Sequence, residues 1–354
     1  MCSRKKKKSS SILKYVILTF IVLCLIAGYK GYELYKNIQD PNVTLKNKKS
    51  EFIYIPTGSY YRDVVSILKD RKILINEPSF EWVAEKKKYP ENVKAGKYKV
   101  THNMSNNQLV NLLRSGRQTP VKLVFNKVRT KDKFAGIIAN QIEADASEIL
   151  DLLSNEAYLN KLGKRSETAL CLLLPNTYEF FWNTNAHSFM SRMVKEHNRF
   201  WNDKRLKTAE KLGLSEDEVY ILASIVEEET TKNDEKKRLA GVYYNRLKKR
   251  MRLQADPTVK YALGDFNIKR VLNKHLSYDS PYNTYKYYGL PPGPICIPSL
   301  SSIDAVLNLE KHNYLYFCAK YDFSGYHAFA KTLRQHNVNA EKYRRALNKK
   351  RIYK

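Results

Sequence analysis

Three consecutive carboxylates, Glu227, Glu228 and Glu229, close the apolar run YILASIV within the stretch 220–257. A glutamate held against apolar side chains can do acid chemistry that a surface glutamate cannot, because lost hydration disfavours its charged form. Cleavage of a glycosidic bond calls for such a group, since a proton must reach the leaving oxygen. Glu227 follows Val226 and neighbours Glu228, so partial burial and like charge are expected to raise its pKa into that role.

The helix that would position it starts at a capping box, Ser215 with Glu218, and runs through Val219, Leu222, Ile225 and Val226. At roughly 100° per residue the three carboxylates point three ways. Glu227 shares its face with Tyr220, Ala223, Ser224 and Thr231, a strip of small and polar side chains expected to leave room for a ligand. Glu229 follows Leu222, Ile225 and Val226 toward the packed side, and Glu228 reads as a solvated helix charge.

Polar groups suited to sugar hydroxyls and N-acetyl groups follow in order. Asn245 and Arg246 end a helix running from Lys236, and Gln254, Asp256 and Thr258 occupy a loop stiffened by Pro257. Tyr282, Asn283, Thr284 and Tyr285 form a second loop, presented by the rigid corner GLPPGP at 289–294. His327 and Phe329 follow a turn at Gly325, and His327 reads either as a substrate-positioning group or as a structural one; His336 and Asn337 carry a fainter signal.

Four ordered blocks carry a resemblance to a known family: LASIVEEET at 222–230, AGVYYNRLKKRMRLQADPTVKYAL at 240–263, SPYNTYKYYGLPPGPICIPS at 280–299 and YLYFCAKYDFSGYHAFAKTLRQHN at 314–337. On these the chain resembles the YceG-like (MltG) family of membrane-anchored endolytic murein transglycosylases. The resemblance implies cleavage between MurNAc and GlcNAc in nascent glycan strands at the outer face of the bacterial inner membrane, near peptidoglycan synthases. The sugar's own 6-hydroxyl closes a 1,6-anhydro ring, so one glutamate acts first as acid and then as base. The first glutamate of the family's IVExE motif falls on Glu227, and Glu229 is carried over as a supporting residue. The chain departs from the family before LLLPNTYEF, where Cys171 and Leu172 replace Glu-Gly and Asn176 replaces an acidic residue.

Residues 3–8, SRKKKK, precede an uncharged apolar run from Tyr15 to Tyr29, read as a single membrane span over 12–32 with the basic tail 1–11 cytoplasmic and the rest exported, a cleaved signal peptide being the alternative, with a poorly formed site around Ala27 and Gly28. A Lys/Asn-rich tether is expected over 33–50. Strand, helix, helix, strand over 51–119 resembles a LysM-like sugar-binding module, although the bare pattern fits a small adaptor equally. Residues 120–354 form the expected catalytic domain, for an α+β chain of transmembrane helix, small α/β module and mixed α+β domain, in which the aromatic run at 180–182 reads as core.

The formal charge is +28, from 63 Lys and Arg against 35 Asp and Glu. It fits an anionic wall polymer or membrane surface, or a merely solvated basic surface; no recognised nucleic-acid-binding module accompanies it, so no nucleic-acid partner is expected. The basic tail 340–354 could contact the same polyanions. The five cysteines show no metal-ligand spacing, and neither metal nor cofactor is expected. The rival classes are a non-catalytic peptidoglycan-binding membrane protein and a peptidoglycan hydrolase, the latter separated by its reducing-end products.

Overall fold

The structure is a computed structural model that describes residues 9–268 and 270–350. The basic cluster at 3–8, Cys2 and the last four residues of the tail lie outside the described residues.

Helix α1 runs Ser9–Gln39. An 18-residue window of it has a mean hydropathy of 1.8 and is not buried within the protein, so the helix is long and apolar enough to cross a membrane. The first compact unit, residues 1–121 with 181–183, continues with β1 (Ser50–Ile55), α2 (Tyr61–Asp70), α3 (Glu77–Lys86), β2 (Gly96–Thr101) and α4 (Asn106–Ser115). The strands pair antiparallel from Ser50 opposite Thr101 to Ile55 opposite Gly96. Their inward residues Ile53, Ile55, Tyr98 and Val100 pack on Val64, Leu68, Phe80 and Leu109.

The stretch read as a tether behaves otherwise. It is helical to Gln39, and Asn42, Val43 and Leu45 are buried in this unit. Asn42 explains why: its Nδ2 donates to Asn76 O at 2.9 Å and Asn106 Oδ1 at 2.6 Å, its Oδ1 accepts from Asn76 N, and Asn106 in turn donates to Asn37 O at the end of α1. Composition alone hides such a polar knot, because the same asparagines in solvent would make a flexible linker. The aromatic run also divides: Phe180 is buried beside Phe189, Phe181 is exposed, and Trp182 packs edge-on against Tyr54.

The second unit, residues 122–180 and 184–354, is mainly helical. Strands β3 (Val121–Val124) and β4 (Thr177–Phe180) pair at its start, flanking α5 (Lys131–Ala139), α6 (Ala146–Leu152), α7 (Glu156–Asn160) and a 3-10 turn at Ser166–Leu172. Then come α8 (Ala186–Phe200), α9 (Asp203–Leu212), α10 (Glu216–Glu229), α11 (Asn233–Lys248), α12 (Asp256–Leu263), α13 (Asn273–Leu276) and α14 (Leu300–Leu307). The hairpin β5 (Tyr316–Ala319) and β6 (His327–Ala330) leads to α15 (Leu333–Lys349).

Helix α10 is the axis of this unit. Ser215 caps it as expected, its Oγ accepting from Glu218 N at 3.2 Å while Glu218 Oε2 accepts from Ser215 N at 2.7 Å. Every residue from Val219 to Val226 is buried. A helix apolar on all sides belongs in a core, and Leu239, Ala240 and Tyr243 of α11, Ile303 and Val306 of α14, and Leu253 and Ile295 surround it. Its first turn is anchored by buried Lys164, whose Nζ lies 2.5 Å from Glu216 Oε1 and 2.6 Å from Asp217 Oδ1. Lys164→Met is expected to cost about 2–4 kcal/mol, read from the denaturant midpoint, because two carboxylates lose their buried counter-charge.

Candidate active site

The last turn of α10 sends its carboxylates into three different environments. Glu227 Oε2 accepts from Lys236 Nζ at 2.9 Å, from Ser299 Oγ and Ser302 Oγ at 2.5 Å each, and from Ser299 N at 3.3 Å. Lys236 is itself buried and also donates to Ser299 and Ser301. Burial alone would raise the Glu227 pKa, but the two serines and the lysine outweigh it and hold the carboxyl below its usual 4.5. The expected upward shift is therefore reversed, because donors invisible in the local sequence arrive from 299–302.

The small-residue face that was to leave room for a ligand is filled as well. Tyr220, Ala223 and Ser224 are fully buried. Tyr220 donates to Leu173 O, Ser224 Oγ accepts from Ile295 N at 3.0 Å, and the 295–302 segment lies over that face. Glu228 is not solvated either: it takes a bidentate pair from Arg129 at 3.1 and 2.8 Å, with the guanidinium over the Phe266 ring.

Glu229 opens onto a cleft of about 380 Å³, lined also by Arg246, Gln254, Asp256, Tyr285 and His336. Its Oε1 accepts from Tyr243 Oη at 2.5 Å. Loss of hydration overrides that bond and, helped by the charge of Asp256, pushes the carboxyl up to about 7. Glu229 thus combines a carboxyl pushed into the neutral range with a space able to admit a ligand.

The cleft walls follow from the loops singled out above. Arg246, buried on α11, donates to Leu315 O at 2.6 Å, Leu253 O at 2.8 Å and Gln254 Oε1 at 3.2 Å, tying the 252–254 strap to the residue that precedes β5. Gln254 adopts φ +53, a left-handed conformation costly outside glycine, and its N–H donates to Thr284 O at 3.1 Å. Tyr285 Oη donates to Asp256 Oδ1 at 2.6 Å, which fixes the carboxylate at the cleft edge.

Of the residues expected to bind sugar, Glu229, Gln254, Asp256 and Tyr285 thus come together, and the other six bond or pack elsewhere. Asn245 holds His312 O and Tyr314 O. Thr258 and Thr284 are buried and bonded to each other at 2.8 Å, and buried Asn283 donates to Leu276 O and Tyr278 O. The Tyr282 ring packs on Tyr261. His327 bonds Glu235 through Nδ1 at 2.7 Å. Buried charge and ring contacts inside a frame use the same residue types as a sugar site, so types and spacing cannot separate them. Tyr243, Lys236, Ser299 and Ser302 were missed for a related reason: each reaches α10 from another element, the two serines from more than 70 residues away. Among the described residues no group of three His, Cys, Asp or Glu could hold a metal ion.

Comparison with known proteins identifies the family. Residues 53–342 match the YceG-like family. The chain belongs to that family. It is 34% identical over 343 residues to the endolytic murein transglycosylase of Bacillus subtilis (strain 168), covering 92% of this chain and 93% of that protein. A protein of the same name from Streptococcus pneumoniae serotype 2 (strain D39 / NCTC 7466) is 29% identical over 347 residues, 88% of this chain and 62% of its own length. A solved structure, the putative yceG-like protein of Listeria monocytogenes, matches with TM-score 0.56 at 34% identity, covering 82% of this chain and 99% of that one. The YceG-like relationship spans both compact units, since the matched residues begin within β1 and end within α15.

Proposed function

We propose that this chain is an endolytic lytic transglycosylase that cleaves MurNAc–GlcNAc bonds in nascent peptidoglycan strands, leaves 1,6-anhydroMurNAc ends and so limits strand elongation. The names of its relatives support the activity. The observation that carries the mechanism is Glu229 at the wall of a polar cleft, its carboxyl pushed up to about 7 by lost hydration.

Glu229 Oε donates its proton to the glycosidic oxygen as the C1–O bond breaks, and the leaving strand departs as an alcohol. The developing positive charge at C1 is met by the charge of Asp256, held by Tyr285. The Glu229 carboxylate then takes the proton of the same sugar's 6-hydroxyl while that oxygen bonds C1, closing the anhydro ring and restoring the acid. Water is not consumed, so a second carboxylate at hydrolase spacing has no task. Glu227 is assigned to the frame, where it joins α10 to α11 and the start of α14.

The first unit is read as a LysM-like module that holds glycan. The apolar α1 is read as a single span of the inner membrane with the N-terminus cytoplasmic and everything after α1 outside, near peptidoglycan synthases.

The pH profile follows from the sign of the Glu229 shift. Below about 7 the acid is loaded and cleavage is on a plateau; above about 7 it falls tenfold per pH unit as the proton is lost. Initial rates on purified strands from pH 5.5 to 9 test this, and a rate still flat at pH 9 would contradict the assignment.

A further inference from the structure

One side chain of the cleft has a polar atom that the protein itself does not use. His336, at the first turn of α15, lines the cleft with Glu229, Arg246 and Gln254. Its Nδ1 is buried and has no hydrogen-bond partner. Four other imidazoles are engaged: His102 accepts from Leu45 N, His275 from Leu272 N, His312 from Tyr314 N, and His327 bonds Glu235. A buried ring nitrogen without a partner costs stability, and a ligand group that reaches the ring relieves that cost.

The surroundings state which ligand chemistry fits. The ring packs tilted against Tyr316, with centroids 5.6 Å apart and planes 30° apart, a contact that leaves open a half-turn about Cβ–Cγ exchanging the two ring edges. Burial first, and then the positive charge of Arg246, lower its pKa below 6.5, so the imidazole is neutral at pH 7. A neutral imidazole offers one donor and one acceptor. That pair suits a neutral group which both gives and takes a hydrogen bond, as sugar hydroxyls and acetamido groups do, and it does not suit an isolated cation beside Arg246.

We propose that His336 binds the glycan in this cleft, hydrogen-bonding a hydroxyl or acetamido group of the sugar on which Glu229 acts. It is a substrate-contacting residue, distinct from the acid. The inference rests on the glycan-cleaving reading above.

Two variants test it in the full-length protein on purified glycan strands. His336→Phe keeps a flat ring without nitrogens, and His336→Asn keeps a polar pair with Oδ1 near the Nδ1 position. The expected result is a loss of about tenfold or more in kcat/KM for Phe, with most activity kept by Asn. The Tm of the Phe variant should equal or exceed that of wild type, since the unpartnered nitrogen is gone. Strand binding in a Glu229→Gln background should weaken with Phe and recover with Asn. N-deacetylated strands separate the two sugar groups: an acetamido partner makes the Phe defect vanish on them, and a hydroxyl partner leaves it in place. A fully active His336→Phe, or equal losses in both variants accompanied by lower Tm, would overturn the proposal. Wild-type protein inactive on all strands would instead defeat the glycan-cleaving reading itself.

Discussion

Glu229→Gln should abolish strand cleavage, by about 10³-fold or more, while the variant still folds and still binds glycan. The amide keeps the shape of the carboxyl and can still accept from Tyr243, whose Oη lies 2.5 Å from Glu229 Oε1, but it has no proton to deliver. A stability measurement separates this chemistry from mere structural damage. The folded carboxyl sits at about 7 against an ordinary 4.5, so between those values the folded protein holds a proton that the unfolded chain releases. Stability therefore falls as pH rises through that window, by up to about 3 kcal/mol at the top of it. Glutamine has no such dependence. The variant should match wild type near pH 4.5 and be more stable than it above pH 7, an inactive enzyme with a raised Tm.

Glu227→Gln should show the opposite pattern. Lys236 is buried, and the Glu227 carboxylate is its counter-charge at 2.9 Å. Removing that charge leaves an ammonium without compensation in the frame and should cost about 3 kcal/mol at pH 7. The Glu227 carboxyl is held below 4.5, so its stabilisation is complete above that value and is lost as pH falls through the depressed folded value. The Tm gap between wild type and Glu227→Gln should accordingly be widest at neutral pH and close in acid. At temperatures where the variant is folded, cleavage should persist within about tenfold of wild type, because the cleft at Glu229 is lined by other residues. Thermal melts at pH 3.5, 5 and 7 alongside rate measurements check both halves of the expectation.

These two glutamates show how much of the site was legible in the sequence. The Ser215 capping box and the apolar run fixed helix α10 and the divergence of its three carboxylates, and both are present in the fold. Helical phase also said correctly that Glu227 and Glu229 point apart. It could not say which face is covered, because that is decided by Ile295, Ser299 and Ser302, about 70 residues downstream. The face rich in small residues turned out to be where another segment packs closest, and small side chains at a tight crossing look the same in sequence as small side chains beside a ligand. A similar ambiguity governs the polar loops: Gln254, Asp256 and Tyr285 reach the cleft, while Thr258, Asn283 and Thr284 from the same two loops are consumed in holding them. The order of the N-terminal unit was readable from alternating strands and helical spacing, whereas the tether at 33–50 was not, since three asparagines bonded to one another have no signature in composition.

Mass spectrometry of the products from purified glycan strands, compared across wild type, Glu227→Gln and Glu229→Gln, separates the two glutamates. Wild type and folded Glu227→Gln should give 1,6-anhydroMurNAc ends, and Glu229→Gln none. Anhydro ends formed by Glu229→Gln at the wild-type rate, or reducing ends from wild type, would contradict the proposed mechanism.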